Sequence, residues 1–173
     1  MNIVLLGYRG TGKSVVSKIL SHKLKRQLFS MDNLIALKAG KTITEIVEQL
    51  GWPRFRELES QIAEQLAADT RDAIIDCGGG VVLNDRNIEL LRRHGKVVLL
   101  TADMATLLQR LSRNVNRPPL KEGLSFEEEH KKVLAEREAR YQAAADMICD
   151  TSHNRPIDTV QEIVDNFKNK SWI

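Results

Sequence analysis

Gly7-Tyr8-Arg9-Gly10-Thr11-Gly12-Lys13-Ser14 decides the fold, because it fits the P-loop pattern G-x-x-x-x-G-K-[ST] at every specified position. Ile3-Val4-Leu5-Leu6, just upstream, is a short apolar run of the kind a buried parallel strand carries. Downstream, Val15, Val16, Ile19, Leu20 and Leu24 recur at helical spacing. Strand, glycine loop and helix therefore follow one another in the order a phosphate site needs. Glycines let the backbone curl so that its N–H groups point at an anion, and the helix N-terminus adds partial positive charge behind them. Lys13 is expected to reach the β- and γ-phosphates and the Ser14 hydroxyl to ligate Mg²⁺. Gly10, Thr11, Gly12 and Val15 complete the loop's expected contacts with a nucleoside triphosphate.

Outward from the loop, strands and helices alternate. Gln27-Leu28-Phe29-Ser30 reads as a second strand, Asn33 to Lys38 as a short helix stopped by Gly40, and Thr42 with Glu45 as a capping box for the next helix. That helix stops at Gly51, and Trp52-Pro53 opens a longer one with Phe55, Leu58, Ile62, Leu66 and Ala67 on one side. Ala73 to Cys77 is the third strand and runs into Gly78-Gly79-Gly80. A helix from Asn84 to His94, closed by Gly95, leads to a fourth strand at Lys96 to Leu100. A helix then runs from Thr101 to Arg113, and Asn114 to Gly123 is a loop containing Pro118-Pro119. Ser125 and Glu128 cap a long polar helix reaching about Ala145, and Met147 to Cys149 is a fifth strand. Pro156 starts a last helix whose Ile157, Val160, Ile163, Val164 and Phe167 face the core. Such βα units imply a three-layer α/β/α P-loop fold around a five-stranded parallel sheet.

At 173 residues, with 42% hydrophobic and 28% charged side chains, the chain has the make-up of one globular domain, residues 1–173. A net charge of +3 is too small to point to nucleic acid, yet it suits a protein whose ligands are anions. Cys77 and Cys149 are expected to be buried free thiols. No apolar run approaches membrane-spanning length, and only Met1 and Asn2 precede the first strand. A cytoplasmic protein is expected, with no nucleic-acid or membrane partner.

No Asn-Lys-x-Asp guanine-reading segment is present, and the chain is too short for a motor or helicase core. A small-molecule kinase remains. The P-loop, the Asp32 segment, Phe55-Arg56-Glu57-Leu58-Glu59, Gly78-Gly79-Gly80 and Arg117-Pro118 occur in the order and spacing of shikimate kinases, and over essentially the whole chain the sequence resembles that family. The resemblance implies a nucleoside-monophosphate-kinase-like fold that moves the γ-phosphate of ATP to the 3-hydroxyl of shikimate. It also implies one Mg²⁺ per subunit, a monomer, an acceptor-binding segment at 32–60 and a mobile lid at 113–124.

Shikimate is a cyclic triol with a carboxylate, so its site needs a bidentate cation and acceptors for hydroxyls. Arg56 and Arg137 match the family's substrate-binding arginines, and Glu59 stands three residues from Arg56 on one helix face, where it can hold the guanidinium. Phe55 belongs to the same segment. The resemblance makes Asp32 the residue that bonds the acceptor hydroxyl and takes its proton. Its place after the second strand also suits a helix N-cap. Gly78, Gly79 and Gly80 would let backbone N–H groups approach the substrate. Arg117 looks like the lid arginine that offsets charge on the transferring phosphoryl group. Arg110 and Pro156 match positions that sandwich adenine.

Three departures stand out. Ser30 occupies a position where the family usually has the first aspartate of Asp-x-Asp, which helps to hold Mg²⁺. Asp76, near the end of the third strand, is the candidate to take over that task. Arg117-Pro118-Pro119-Leu120 replaces R-P-L-L, and Asn154 replaces an arginine near the adenine. Two other functions fit the motifs: a kinase for another small hydroxylated acid or sugar, such as gluconate, and a nucleotide-binding regulatory protein with weak or lost turnover.

Overall fold

The computed structural model describes residues 1–113, 118–121 and 123–173. Its strands are β1 (Asn2–Leu6), β2 (Leu28–Ser30), β3 (Ile74–Asp76), β4 (Gly95–Thr101) and β5 (Met147–Asp150). They pair in parallel in the order β2-β3-β1-β4-β5. The helices are α1 (Lys13–Leu24), α2 (Met31–Ala39), α3 (Ile43–Asp69), α4 (Asp85–Arg92), α5 (Met104–Ser112), α6 (Phe126–Ala144) and α7 (Pro156–Asn169). A 3₁₀ turn at Val81–Leu83, unmarked in the sequence, follows β3.

Successive residues of a strand point to opposite faces, and the two cores divide accordingly. Ile3, Leu5, Ile74, Val98 and Leu100 pack with Val16 and Leu20 of α1 and with Val160, Ile163, Val164 and Phe167 of α7. Val4, Leu6, Ile75, Val97 and Leu99 pack the other face, against Phe55, Leu58, Ile62 and Leu66 of α3 and Val133 and Tyr141 of α6. Helices thus cover both faces, as the alternation predicts. Among the described residues, no helix is long and apolar enough to cross a membrane. Both cysteines are free and buried.

Both expected capping boxes form. Thr42 Oγ1 accepts from Glu45 N at 3.2 Å while Glu45 Oε2 accepts from Thr42 N at 2.7 Å, and Ser125 and Glu128 do the same at α6. The expected break at Gly51 is present as a residue of φ 79° and ψ 165° that interrupts α3 before Pro53.

Four local expectations need correction. The N-cap of α2 is Ser30, whose Oγ accepts from Asn33 N, so Asp32 sits inside the first turn and not at the cap. Gly95 does not close α4. It opens β4 opposite Asn2, where an added Cβ would meet Leu91 O and Val4 Cγ2, each at 2.9 Å. Thr101 belongs to β4, and Asp103 caps α5 by accepting from Thr106 N. Ile157 is exposed because it lies in the first turn of α7, off the stripe that meets the sheet.

Candidate active site

Three loops meet at the C-terminal ends of neighbouring strands. The P-loop follows β1, Asp32 follows β2 and Gly78 to Gly80 follow β3. From β1 the chain runs outward to β2 on one side, whereas β4 lies on the other side of β1. Open α/β sheets form their ligand crevice at such a reversal.

The loop is tightly braced. Gly7 has φ 146°, and a Cβ there would lie 2.3 Å from Leu100 O, so this place accepts only glycine. Thr11 turns inward and donates through Oγ1 to Tyr8 O at 2.8 Å, while its own carbonyl accepts from Thr151 Oγ1. Lys13 Nζ donates to Gly7 O at 2.7 Å and Tyr8 O at 2.9 Å, which folds the ammonium back across the mouth of the loop. Arg110 donates to Gly10 O at 3.1 Å and to Thr151 O at 2.7 Å, joining the loop to the end of β5.

A cavity of about 730 Å³ opens over this loop, lined among others by Gly10, Gly12, Lys13, Ser14, Val15 and Arg110. Asp32 and Asp76 reach it from the neighbouring strands. Ser14 Oγ donates to Asp76 Oδ2 at 2.9 Å. A hydroxyl and a carboxylate side by side are hard oxygen ligands of the kind Mg²⁺ takes. Among the described residues no cluster of three or more His, Cys, Asp or Glu could hold a metal unaided.

A smaller cavity adjoins the first and shares Arg9, Asp32, Gly78 and Gly79 with it. Phe55, Arg56, Glu59, Gly80 and Arg137 line this second space, together with Trp52. Arg56 is locked on three sides. Its Nη1 donates to Glu59 Oε2 at 2.7 Å, and its guanidinium lies 5.2 Å and 5.0 Å from the ring centroids of Trp52 and Phe55. A Cβ on Gly80 would fall 2.1 Å from Arg56 Nη1, so the last glycine of the run makes room for this cation. Arg137 Nη1 donates to Gly79 O at 3.1 Å, and the Tyr141 hydroxyl donates to the same carbonyl.

Glu59 is 1% exposed, and its second oxygen, Oε1, has no hydrogen-bond partner among the described residues. Burial raises its pKa, against the pull of Arg56. Gly78 is held between carboxylates, since its Cβ would stand 3.0 Å from Glu59 Oε1 and 3.1 Å from Asp32 Oδ1. Cys77, beside these glycines, is sealed, and burial drives its thiol pKa well up, which leaves it little nucleophilic character.

Most of the residues predicted from sequence are therefore brought together. Pro156 is not: it opens α7 and lines neither cavity. Thr11 supports the loop from within and does not line the cavity. Arg117 lies outside the described residues, as do 114–116 and 122 of the segment read as a lid. Pro118, at the described edge of that segment, accepts from Arg9 Nη1 at 3.3 Å.

Sequence reading missed Trp52, Tyr8, His130 and Tyr141. The α6 residues had left a signal. His130, Val133, Arg137, Tyr141 and Ala144 are spaced three or four apart and are all buried, a stripe hidden in a helix that looks polar throughout.

A model of the shikimate kinase family matches residues 9–168. A shikimate kinase of Pelotomaculum thermopropionicum is 36% identical, with 99% of this chain and 98% of the relative covered. Shikimate kinase 2 of an Enterobacter species is 39% identical over 94% of this chain and 92% of its own length. Among solved structures, shikimate kinase from Acinetobacter baumannii in complex with shikimate superposes with a TM-score of 0.91 at 30% identity, covering 98% of this chain and 93% of that one. A P-loop and an arginine-lined pocket on one crevice, with this extent of shared sequence, settle the kinship: the chain belongs to the shikimate kinase family.

Proposed function

We propose that this chain phosphorylates the 3-hydroxyl of shikimate with ATP, giving 3-phosphoshikimate and ADP for aromatic amino-acid biosynthesis. The observation that carries this reading is the pair of adjoining cavities. One is floored by the P-loop, the other is lined by Arg56 and Arg137, and Arg9, Asp32 and Gly78 stand where they meet. A triphosphate in the first and a carboxylated polyol in the second would bring donor and acceptor face to face, which is most of what phosphoryl transfer asks of a protein.

Lys13 and the loop amides would hold the phosphates, with Gly10, Gly12 and Val15 on the cavity wall and Arg110 on the nucleoside side. Ser14 and Asp76 would hold one Mg²⁺, which neutralises charge on the phosphates when bound. Arg56, kept in place by Glu59, and Arg137 would take the acceptor's carboxylate, while Phe55 and the glycine run shape its pocket. The 32–60 segment thus serves as the acceptor-binding part of a single kinase domain. Asp32 would orient the acceptor hydroxyl and receive its proton. Arg117, from the 113–124 lid, would offset charge on the moving phosphoryl group and, with Arg9 and Pro118, help to exclude water. One chain supplies both walls of the crevice, so a monomer suffices, and two free thiols accord with a cytoplasmic setting.

ADP release measured with ATP, Mg²⁺ and shikimate, against quinate and gluconate, tests the proposal. Turnover confined to shikimate is expected. Turnover on gluconate instead would move the substrate, and ATP binding without any turnover would leave a regulatory role.

A further inference from the structure

Two buried side chains at the edge of the phosphate loop take no part in the scheme above. Tyr8, the second residue of the loop, is sealed from solvent. Its hydroxyl lies 2.8 Å from Nδ1 of His130, on the second turn of α6 and 122 residues away in sequence. The rings meet edge to face with centroids 5.8 Å apart, and Phe126 meets the imidazole the same way at 4.5 Å. His130, Phe126 and Arg9 all line the larger cavity.

Burial decides which group donates. A phenol has one O–H, and a neutral imidazole has one N–H. Were Nδ1 to carry the hydrogen and give it to Tyr8, the phenolic proton would need another acceptor, and the Tyr8 hydroxyl has none among the described residues. A buried O–H without an acceptor is strongly disfavoured. With Tyr8 as donor, the phenolic proton and the Nδ1 lone pair are both satisfied, and the imidazole hydrogen sits on Nε2. Burial favours the neutral ring, against the pull of Glu129, and burial likewise lifts the Tyr8 pKa to about 12. Nε2 has no partner among the described residues.

We propose that His130 is a further nucleotide-binding residue, its Nε2–H donating to a phosphoryl oxygen in the larger cavity, with Tyr8 as the positioning residue that holds the required tautomer. This rests on reading that cavity as the phosphate site. It gives α6 a direct hold on the nucleotide, oriented by the loop that binds it. The ligand class is a nucleoside polyphosphate.

Long-range ¹H–¹⁵N correlation on the full chain, with His130→Gln to assign the signal among four histidines, reads the tautomer directly. Wild type is expected in the Nε2–H form, and Tyr8→Phe should erase that preference. Calorimetry with Mg²⁺ and the non-hydrolysable analogue AMP-PNP should show His130→Ala binding about tenfold more weakly, a typical loss for one charge-assisted donor. His130→Gln, whose amide can still donate, should recover most of it, and shikimate binding should not change. An Nδ1–H tautomer in wild type, or His130→Ala binding the analogue like wild type, overturns the proposal. Should His130→Ala fail to fold, the tautomer together with Tyr8→Phe binding decides. Lys13→Ala separates the two layers: if it also binds the analogue normally, the phosphate-site reading itself has failed.

Discussion

Ser30 and Asp76 are register partners on the parallel strands β2 and β3, and Asp76 reaches sideways to accept from Ser14 Oγ at 2.9 Å. The family resemblance places an aspartate where Ser30 stands. Neighbouring strands run only about 4.8 Å apart, so a carboxylate moved one strand over can serve the same oxygen site. Ser30 meanwhile caps α2, a task its hydroxyl performs as well as a carboxylate would. Asp76→Asn should therefore raise the Mg²⁺ concentration for half-maximal rate by about 10–100-fold, the usual effect of losing a supporting carboxylate. Adding Ser30→Asp to that variant should restore part of the loss. Mg²⁺ titrations at saturating shikimate, with Mn²⁺ binding followed by spin resonance, check both; an unmoved titration curve would mean Asp76 does not serve the metal.

Gly80→Ala isolates the acceptor pocket. The glycine has φ −100°, so alanine brings no backbone strain, but its Cβ would collide with the guanidinium of Arg56. That guanidinium is a movable side-chain end, so the fold should survive while the cation is displaced. The KM for shikimate should rise at least about tenfold, the cost of one lost charged hydrogen bond, with the KM for ATP little changed. Equal effects on both substrates would count against Arg56 as the carboxylate anchor.

Glu59 ties stability to pH. Burial raises its folded pKa above the unfolded value, so the fold prefers the protonated form. Its contribution to stability is then fullest below the unfolded pKa and declines as pH rises through the folded one. Glu59→Gln removes this titration and keeps an acceptor for Arg56. Its melting temperature relative to wild type should accordingly be more favourable at pH 8 than at pH 4. A difference independent of pH would show that Glu59 does not titrate differently on folding.

Gly95→Ala should destabilise the sheet. The new methyl would press on Leu91 O and on Val4 Cγ2, one of them backbone and the other within the packed core. Overpacking of this kind costs about 1–3 kcal/mol, which denaturant unfolding can resolve. Had the residue been a helix cap with positive φ, the loss would come from backbone strain and not from contact with Val4. Gly95→Ala combined with Val4→Ala, which takes away the side-chain part of the clash, should therefore recover part of the loss.

The fold class and much of the site were legible in the chain because their signals are local. The P-loop is eight consecutive residues, the two capping boxes span four residues each, and the apolar stripes of α3 and α7 follow helical spacing. Arg56 and Glu59 share one helix face, so their pairing could be foreseen as well. Gly95 is different, because a glycine after a helix reads as a cap. Its real constraint is Val4, on a strand 91 positions earlier, with which it shares no local pattern.

What the sequence determined by itself is the order of strands and helices and the presence of a phosphate loop, since backbone preferences and hydrophobic spacing act over a few residues. Tertiary structure alone decided which distant groups became neighbours. It set Asp76 against Ser14, Arg137 and Tyr141 on Gly79, and Tyr8 against His130. Those contacts depend on strand order and on how α6 lies over the sheet, and both are settled by burying two apolar faces at once rather than by any short stretch of chain.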